Sequence, residues 1–292
     1  VAYADIEYGL AGYWPLDGNA KDASGNGNDG VIYGSVTATI DRFGNPNFAM
    51  SFPGNVNSYI DLGQPSVLLI KGAMSVSAWV RANTLSQTGR IVAKQGPSSA
   101  RSWGINLETA GHARFDIGIN PTDRVRADSA PLSFGPNEWW HIAGVFRPGV
   151  SVELYINGEL VNSVPTTITT QWIENGLPVN IGRRPEPGTP WNGDIDEVRI
   201  YSRALAPAEV KQVMIGKEKG PASNPCPADG ETDVPRDVAF GWTPGEFAPP
   251  VGGHKVYLGE NFKDVNEGVG GVTQDANSYA PPQRLNLGTT YY

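Results

Sequence analysis

The run Asp194-Ile195-Asp196-Glu197-Val198-Arg199-Ile200-Tyr201-Ser202-Arg203-Ala204-Leu205-Ala206-Pro207-Ala208-Glu209-Val210-Lys211-Gln212-Val213 changes character halfway. Its first half sets the β-formers Ile195, Val198, Ile200 and Tyr201 among charges, which predicts a strand. Its second half predicts a helix. Pro207 suits a first helical position, where its missing N–H costs nothing. Leu205, Val210, Val213 and Met214 then fall on one helical stripe. A charged strand running straight into one short helix, late in a chain otherwise rich in strand signals, sets the frame for the rest.

Outward from that run, short strand candidates recur with turns between them. Met50 to Phe52 and Tyr59 to Leu62 flank Pro53-Gly54-Asn55. From Met74 to Arg81 the chain alternates, with Met74, Val76, Ala78 and Val80 on one side and Ser75, Ser77, Trp79 and Arg81 on the other. Trp103, Ile105 and Leu107 are expected to pair with Phe115, Ile117 and Ile119 across a turn at Ala110-Gly111. Trp140 to Phe146 and Ser151 to Ile156 lead into Asn157-Gly158, a strong hairpin dipeptide, and Glu159 to Val164 completes that hairpin. Antiparallel strands, one helix and no βαβ rhythm predict an all-β jelly-roll sandwich.

Composition agrees. The 292 residues are about two domains' worth, enough for a sizeable core. Gly at 36 and Pro at 24 supply turns, while 8 Trp and 11 Tyr are too many for a disordered chain. No window approaches the ~20 apolar residues of a membrane-spanning helix. A net charge of −8 argues against a nucleic-acid partner, which needs concentrated Lys and Arg. The lone Cys226 forms no internal disulfide, and three His leave few ligands for zinc or copper. Val1-Ala2-Tyr3-Ala4 before Asp5 reads like the end of a signal peptide, so residues 1–8 are taken as a leader remnant and the protein as secreted or surface-bound.

The character shifts after Gly216. Lys217 to Pro227 is polar and Pro-rich and is read as a linker. Residues 228–292 then carry Val238-Ala239-Phe240-Gly241-Trp242 and Lys255-Val256-Tyr257-Leu258-Gly259 as strand candidates.

Between residues 9 and 216, further blocks stand in a fixed order. They are Tyr13-Trp14-Pro15-Leu16-Asp17, the Asp22 to Gly30 loop, Ser75 to Val80, Glu138 to Phe146, Leu154 to Gly158 and Val179-Asn180-Ile181-Gly182. With the closing strand and helix, they resemble the laminin-G-like jelly roll of the concanavalin A-like lectins and glucanases. Residues 228–292 resemble the opening part of a fibronectin type III-like sandwich, as often follows such jelly rolls in large bacterial surface proteins. The resemblance implies a non-catalytic binding module within a longer extracellular chain, since this family hosts lectins, adhesins and enzyme appendages.

Asp22-Ala23-Ser24-Gly25-Asn26-Gly27 places oxygen-bearing side chains at alternate positions before a glycine, like the front of a calcium loop. Tyr33 stands where an EF-hand needs its bidentate Glu, so that site is excluded. The family resemblance implies a structural calcium held by Asp22, Asn26 or Asn28 and by Asp194 or Asp196; the plain reading is an Asx-rich turn. For carbohydrate, aromatic faces and planar polar groups are required. Trp103, Trp172 and Trp191 are the aromatic candidates, with Asn106, Arg124, Arg126, Arg183 and Arg184 as polar partners, although burial is the commoner fate of a Trp. The paired arginines suit an acidic or sulfated glycan, or simply solvent.

Catalysis has little footing. Asp194 and Asp196 share a strand face, the nearest match to a retaining glycosidase pair, but they belong to the closing-strand motif. His141 lies within a strand pattern and reads as structural. The expectation is therefore a module that binds extracellular polysaccharide or a glycosylated surface. An architectural or protein-binding module comes second, and a hydrolase or lyase third.

Overall fold

Residues Asn192–Tyr201 form a ten-residue strand and Pro207–Ile215 the helix that follows it, as the change of period predicts. A computed structural model describes residues 6–96, 100–109, 111–173, 176–186, 188–216, 222–244, 252–266 and 268–292. The chain divides into two compact units at Gly216.

In the first unit the strands are β1 (Leu10–Trp14), β2 (Val31–Tyr33), β3 (Thr37–Thr39), β4 (Ala49–Pro53), β5 (Tyr59–Asp61), β6 (Met74–Ala82), β7 (Gly89–Ala93) and β8 (Gly104–Glu108). They continue as β9 (His112–Gly118), β10 (Arg124–Pro131), β11 (Trp139–Arg147), β12 (Ser151–Ile156), β13 (Glu159–Pro165), β14 (Asn180–Ile181) and β15 (Asn192–Tyr201), before α1 (Pro207–Ile215). One sheet runs β13-β12-β11-β6-β15-β4-β3, with β1 also paired to β15. The other runs β10-β9-β8-β7-β14-β5-β2. All pairings are antiparallel, giving the jelly-roll sandwich expected from sequence.

Alternation places the core. Val76, Ala78 and Val80 of β6, Trp140 and Ile142 of β11, Ile105 and Leu107 of β8, and Phe115 and Ile117 of β9 share one buried cluster between the sheets. The sheets meet closely at Gly144 of β11, where an added Cβ would lie 2.3 Å from the Phe115 ring of β9. On the far side of the first sheet, Val210 and Val213 of α1 pack with Ala143, Val145, Tyr155 and Tyr201. Glu209 accepts the Ala206 N–H at 2.6 Å, capping the helix start beside Pro207. Gly216 takes φ +88° just past its end. The Asn157-Gly158 turn has positive φ at both residues, as a two-residue hairpin of this twist demands.

Two expectations shift. Residues 1–5 lie outside the described residues, but Ile6 of the expected leader remnant is buried against the α1 cluster and so belongs to the fold. In the second unit, Ser223–Cys226 of the expected linker forms a strand, β16, pairing with β17 (Phe240–Thr243). It is an edge strand, where the missing N–H of Pro225 is tolerated. Residues 217–221 lie outside the described residues. The remaining elements are β18 (His254–Val256), α2 (Phe262–Asn266), β19 (Val272–Gln274) and β20 (Ser278–Tyr279), with sheets β16-β17-β20 and β18-β19.

Candidate functional site

The seven-stranded sheet has a polar outward face. Because Ile105, Phe115, Ile117, Val92, Ile181 and Ile60 point inward, their strand neighbours point outward. Register then lines up one row across the sheet: Asp61, Asn180, Ala93, Gly104, Asp116 and Arg126. A second row carries Arg90, Asn106, Arg114 and Asp128. Over Gly104 the first row is filled by Gln95 Nε2 and Asn106 Oδ1, 2.9 and 3.2 Å from where a Cβ would stand.

Asp116, fully buried, anchors the arginine end. It accepts from Asn106 Nδ2 at 2.8 Å and from Gln95 Nε2 at 3.3 Å, and Arg124 Nε stands 3.2 Å from it. Gln95 Nε2 also reaches Asn106 Oδ1 at 3.2 Å. Glu108 pairs with Arg90 and Arg114, and Arg114 also pairs with Asp128. Residues 101–102 cross the outward side of β9, where a Cβ on Gly118 would lie 2.9 Å from Ser102. Trp172 donates its N–H to Gly118 O at 2.9 Å, which places its backbone at the same edge.

Several polar atoms here are buried without a protein partner: Gln95 Oε1, both side-chain atoms of Asn180, Arg124 Nη1, Arg101 Nε and Arg184 Nε. Burial, together with Arg101, Arg114 and Arg126, holds Arg124 below the usual guanidinium range against the pull of Asp116. Burial also depresses Arg184, with Arg90 and Arg101 adding to the effect and Glu186 opposing it. The face is therefore a region of clustered positive charge with planar amides between.

The sequence candidates divide accordingly. Asn106, Arg124 and Arg126 come together on this face. Trp103 and Trp191 do not serve as sugar platforms: both have 0% exposure within the core. Trp191 fills the space left by Gly89, and Trp103 shares its parity with the inward Ile105 and Leu107. Trp172 stays half-buried. Arg183 is also lost to structure, with Nη1 donating to Val56 O at 2.6 Å and its guanidinium 3.3 Å from the centre of the Tyr59 ring. Arg184 keeps company with Arg90 and Arg101 instead. Sequence reading missed Gln95, Arg101, Asp116 and Asn180. Asp116 and Asn180 had a signal, each a polar residue alternating with core residues.

The expected metal ligands fall into two places. Asp22 Oδ1 accepts from the N–H of Tyr13 at 3.0 Å and of Ser24 at 2.9 Å, and Oδ2 from that of Asn28 at 2.9 Å. Partial burial works against its charge, but these N–H groups outweigh it and lower its pKa. Asn26 and Asn28 donate to the carbonyls of Leu10 and Ala11. On β15, Asp194 pairs with Arg81 Nε at 2.7 Å and Asp196 with Arg42 Nη1 at 3.2 Å. Burial and Glu197 push Asp196 well above the usual carboxylate range, with Arg42 opposing. Among the described residues, no group of three or more His, Cys, Asp or Glu side chains converges on a metal position. Asp22, Asn26, Asn28, Asp194 and Asp196 thus each have protein partners. Asp194 and Asp196 are likewise tied to arginines rather than paired across an open cleft.

Two antiparallel sheets packed face to face define a jelly-roll sandwich. The chain belongs to the concanavalin A-like lectin/glucanases superfamily, whose laminin-G-type family model matches residues 53–211, more than half of the chain. A curated relative, adhesion G-protein coupled receptor V1 of Danio rerio, is 22% identical over 175 residues, covering 56% of this chain and 3% of its own length. Among solved structures, the binding domain of Paraclostridial Mosquitocidal Protein 1 is similar at TM-score 0.60 and 18% identity, over 76% of this chain and 55% of that one. Domain 4 of AbnA, a GH43 extracellular arabinanase from Geobacillus stearothermophilus seen with arabinotriose, matches at TM-score 0.54 and 24% identity, over 70% of this chain and 98% of that one. Among the described residues, no helix is long and apolar enough to cross a membrane.

Proposed function

We propose that the unit preceding Gly216 is a non-catalytic carbohydrate-binding module of an extracellular protein, with its site on the outward face of the seven-stranded sheet. One observation carries the reading: the β9–β10 register sets Arg124, half-buried, and Arg126, exposed, on one outward face beside the Asp116, Asn106 and Gln95 network. A guanidinium offers a planar fork of donors, which suits neighbouring sugar hydroxyls. Gln95 and Asn106, buried, hold Asp116 in place. The arabinotriose held by the arabinanase domain supports this class of ligand by likeness of fold. We further infer a fibronectin III-like spacer in the second unit and a bacterial surface protein as parent. The short β16-β17-β20 sheet supports the spacer reading.

Calorimetric titration of the whole chain against a panel of oligosaccharides, in calcium and in EDTA, tests the proposal. Binding is expected in both buffers, because the face lies apart from the Asp22 loop. Arg126→Ala should weaken it at least tenfold while the melting temperature moves little. Unchanged binding in that variant would move the site off this face. No binding to any sugar would favour an architectural or protein-binding module.

A further inference from the structure

Six arginines gather on or beside this one face: Arg90, Arg114, Arg124 and Arg126 on the strands, with Arg101 and Arg184 in the segments against them. They do so in a chain of net charge −8, where 30 Asp and Glu outnumber 22 Lys and Arg. Three of the six have carboxylate partners. Arg90 and Arg114 share Glu108, Arg114 also holds Asp128, and Arg124 holds Asp116. Among the described residues, Arg101, Arg126 and Arg184 form no ion pair within 4.0 Å. Arg126 is exposed, Arg101 and Arg184 are half-buried, and the Nε of each of the latter two lacks a partner. Like charges held together and partly out of water repel, so the arrangement favours an anion between them. A guanidinium offers a forked pair of donors that fits the oxygens of a carboxylate or sulfate.

We propose that the glycan held on this face is acidic, a uronate or sulfated chain whose anionic groups are taken by Arg101, Arg126 and Arg184. The inference rests on the carbohydrate-binding reading above and adds the ligand's charge to it.

The test uses matched pairs that differ in charge alone: oligogalacturonate against its methyl ester, and sulfated galactan and chondroitin oligosaccharides against their desulfated forms. Titration of the whole chain should show the charged member of at least one pair binding about tenfold or more tightly, since charge-assisted hydrogen bonds are the stronger class. Raising salt from 0.05 to 0.5 M should narrow that gap for the exposed contacts (roughly a threefold shorter screening length). Arg126→Gln and Arg184→Gln should reduce charged binding toward the neutral level with the melting temperature kept. Equal binding of the two members in every pair would overturn the acidic assignment and leave the carbohydrate site standing. Absence of binding to any member, charged or neutral, would overturn both.

Discussion

At the residue scale, the same side-chain types do opposite jobs in two places. Asp116 is buried among donors and holds Asn106, Gln95 and Arg124 in position, whereas Asp22 spends its carboxylate on three backbone N–H groups. Asp22→Ala should therefore cost about 2–4 kcal/mol of unfolding free energy, since hydrogen bonds to a charged group contribute roughly 1.5–3 kcal/mol each and do not add fully. Urea unfolding measures it. A loss of that size in EDTA as well as in calcium fits the turn role; a loss seen in calcium only would give the loop a metal. His141 sets a pH dependence. Wholly buried, with Arg199 and Arg42 adding to the effect, it is pushed down to about 3. Its folded pKa lies below the unfolded ~6.5, so its contribution is complete above pH 6.5 and is lost as pH falls from there toward 3. Burial raises Asp17 to about 6, and that acts in the opposite sense, adding stability as pH falls below 6. Comparing His141→Gln with the parent chain isolates the histidine. Between pH 6.5 and 4.5 the variant should lose roughly 2 kcal/mol less stability than the parent, and parallel curves would refute the assignment.

At the element scale, what was legible depended on whether the deciding partner was local. β15 and α1 were readable because the period changes from two to 3.6 within one run, and Pro207 marks the boundary. The β12-β13 hairpin was readable from Asn157-Gly158 alone. The site was legible only in fragments. Asn106, Arg124 and Arg126 stood out as planar polar partners for a sugar, but the row from Asp61 to Arg126 crosses strands far apart in sequence. It exists only once β14 lies between β7 and β5. Trp191 misled because Pro190-Trp191-Asn192-Gly193 has the look of an exposed turn, while the gap left by Gly89 on another strand draws the ring inward. The bulge in β15 was equally hidden. Glu197 takes φ +55°, accepts from Tyr13 Oη at 2.9 Å and pairs with Arg199 at 2.6 Å, a cost in backbone energy repaid by contacts from β1 and from its own strand. Gly144→Ala gives the element-scale prediction. The added methyl meets the Phe115 ring from the opposite sheet, so the sheets must part or the ring must turn. A loss of about 1–3 kcal/mol in denaturant unfolding is expected. A neutral result would mean that the sandwich is looser at its centre than the Gly144–Phe115 contact implies.

At the scale of the whole molecule, the two faces of the sandwich have been put to different uses. The outward face of the β13-to-β3 sheet is covered by α1 and by buried ion pairs such as Arg81–Asp194. The outward face of the β10-to-β2 sheet instead has Arg126 on it and Arg101 and Arg184 beside it, three arginines with no ion pair among the described residues. Every residue assigned to binding therefore comes before Gly216, and Gly216 itself closes α1 in a left-handed conformation. The second unit shares none of those residues. Its own groove of about 650 Å³, lined by Phe240, Trp242, His254, Tyr257 and Tyr292 among others, is a separate surface. From this division it follows that a chain ending at Gly216 should fold and bind the same oligosaccharide with the same affinity as the whole. Titration of both chains with the tightest ligand of the panel decides it. Matching dissociation constants would make the jelly roll sufficient for recognition and leave the second unit to spacing. A weakening of tenfold or more with unchanged melting of the shorter chain would place part of the recognition surface beyond Gly216, and the groove around Trp242 would become the next face to mutate.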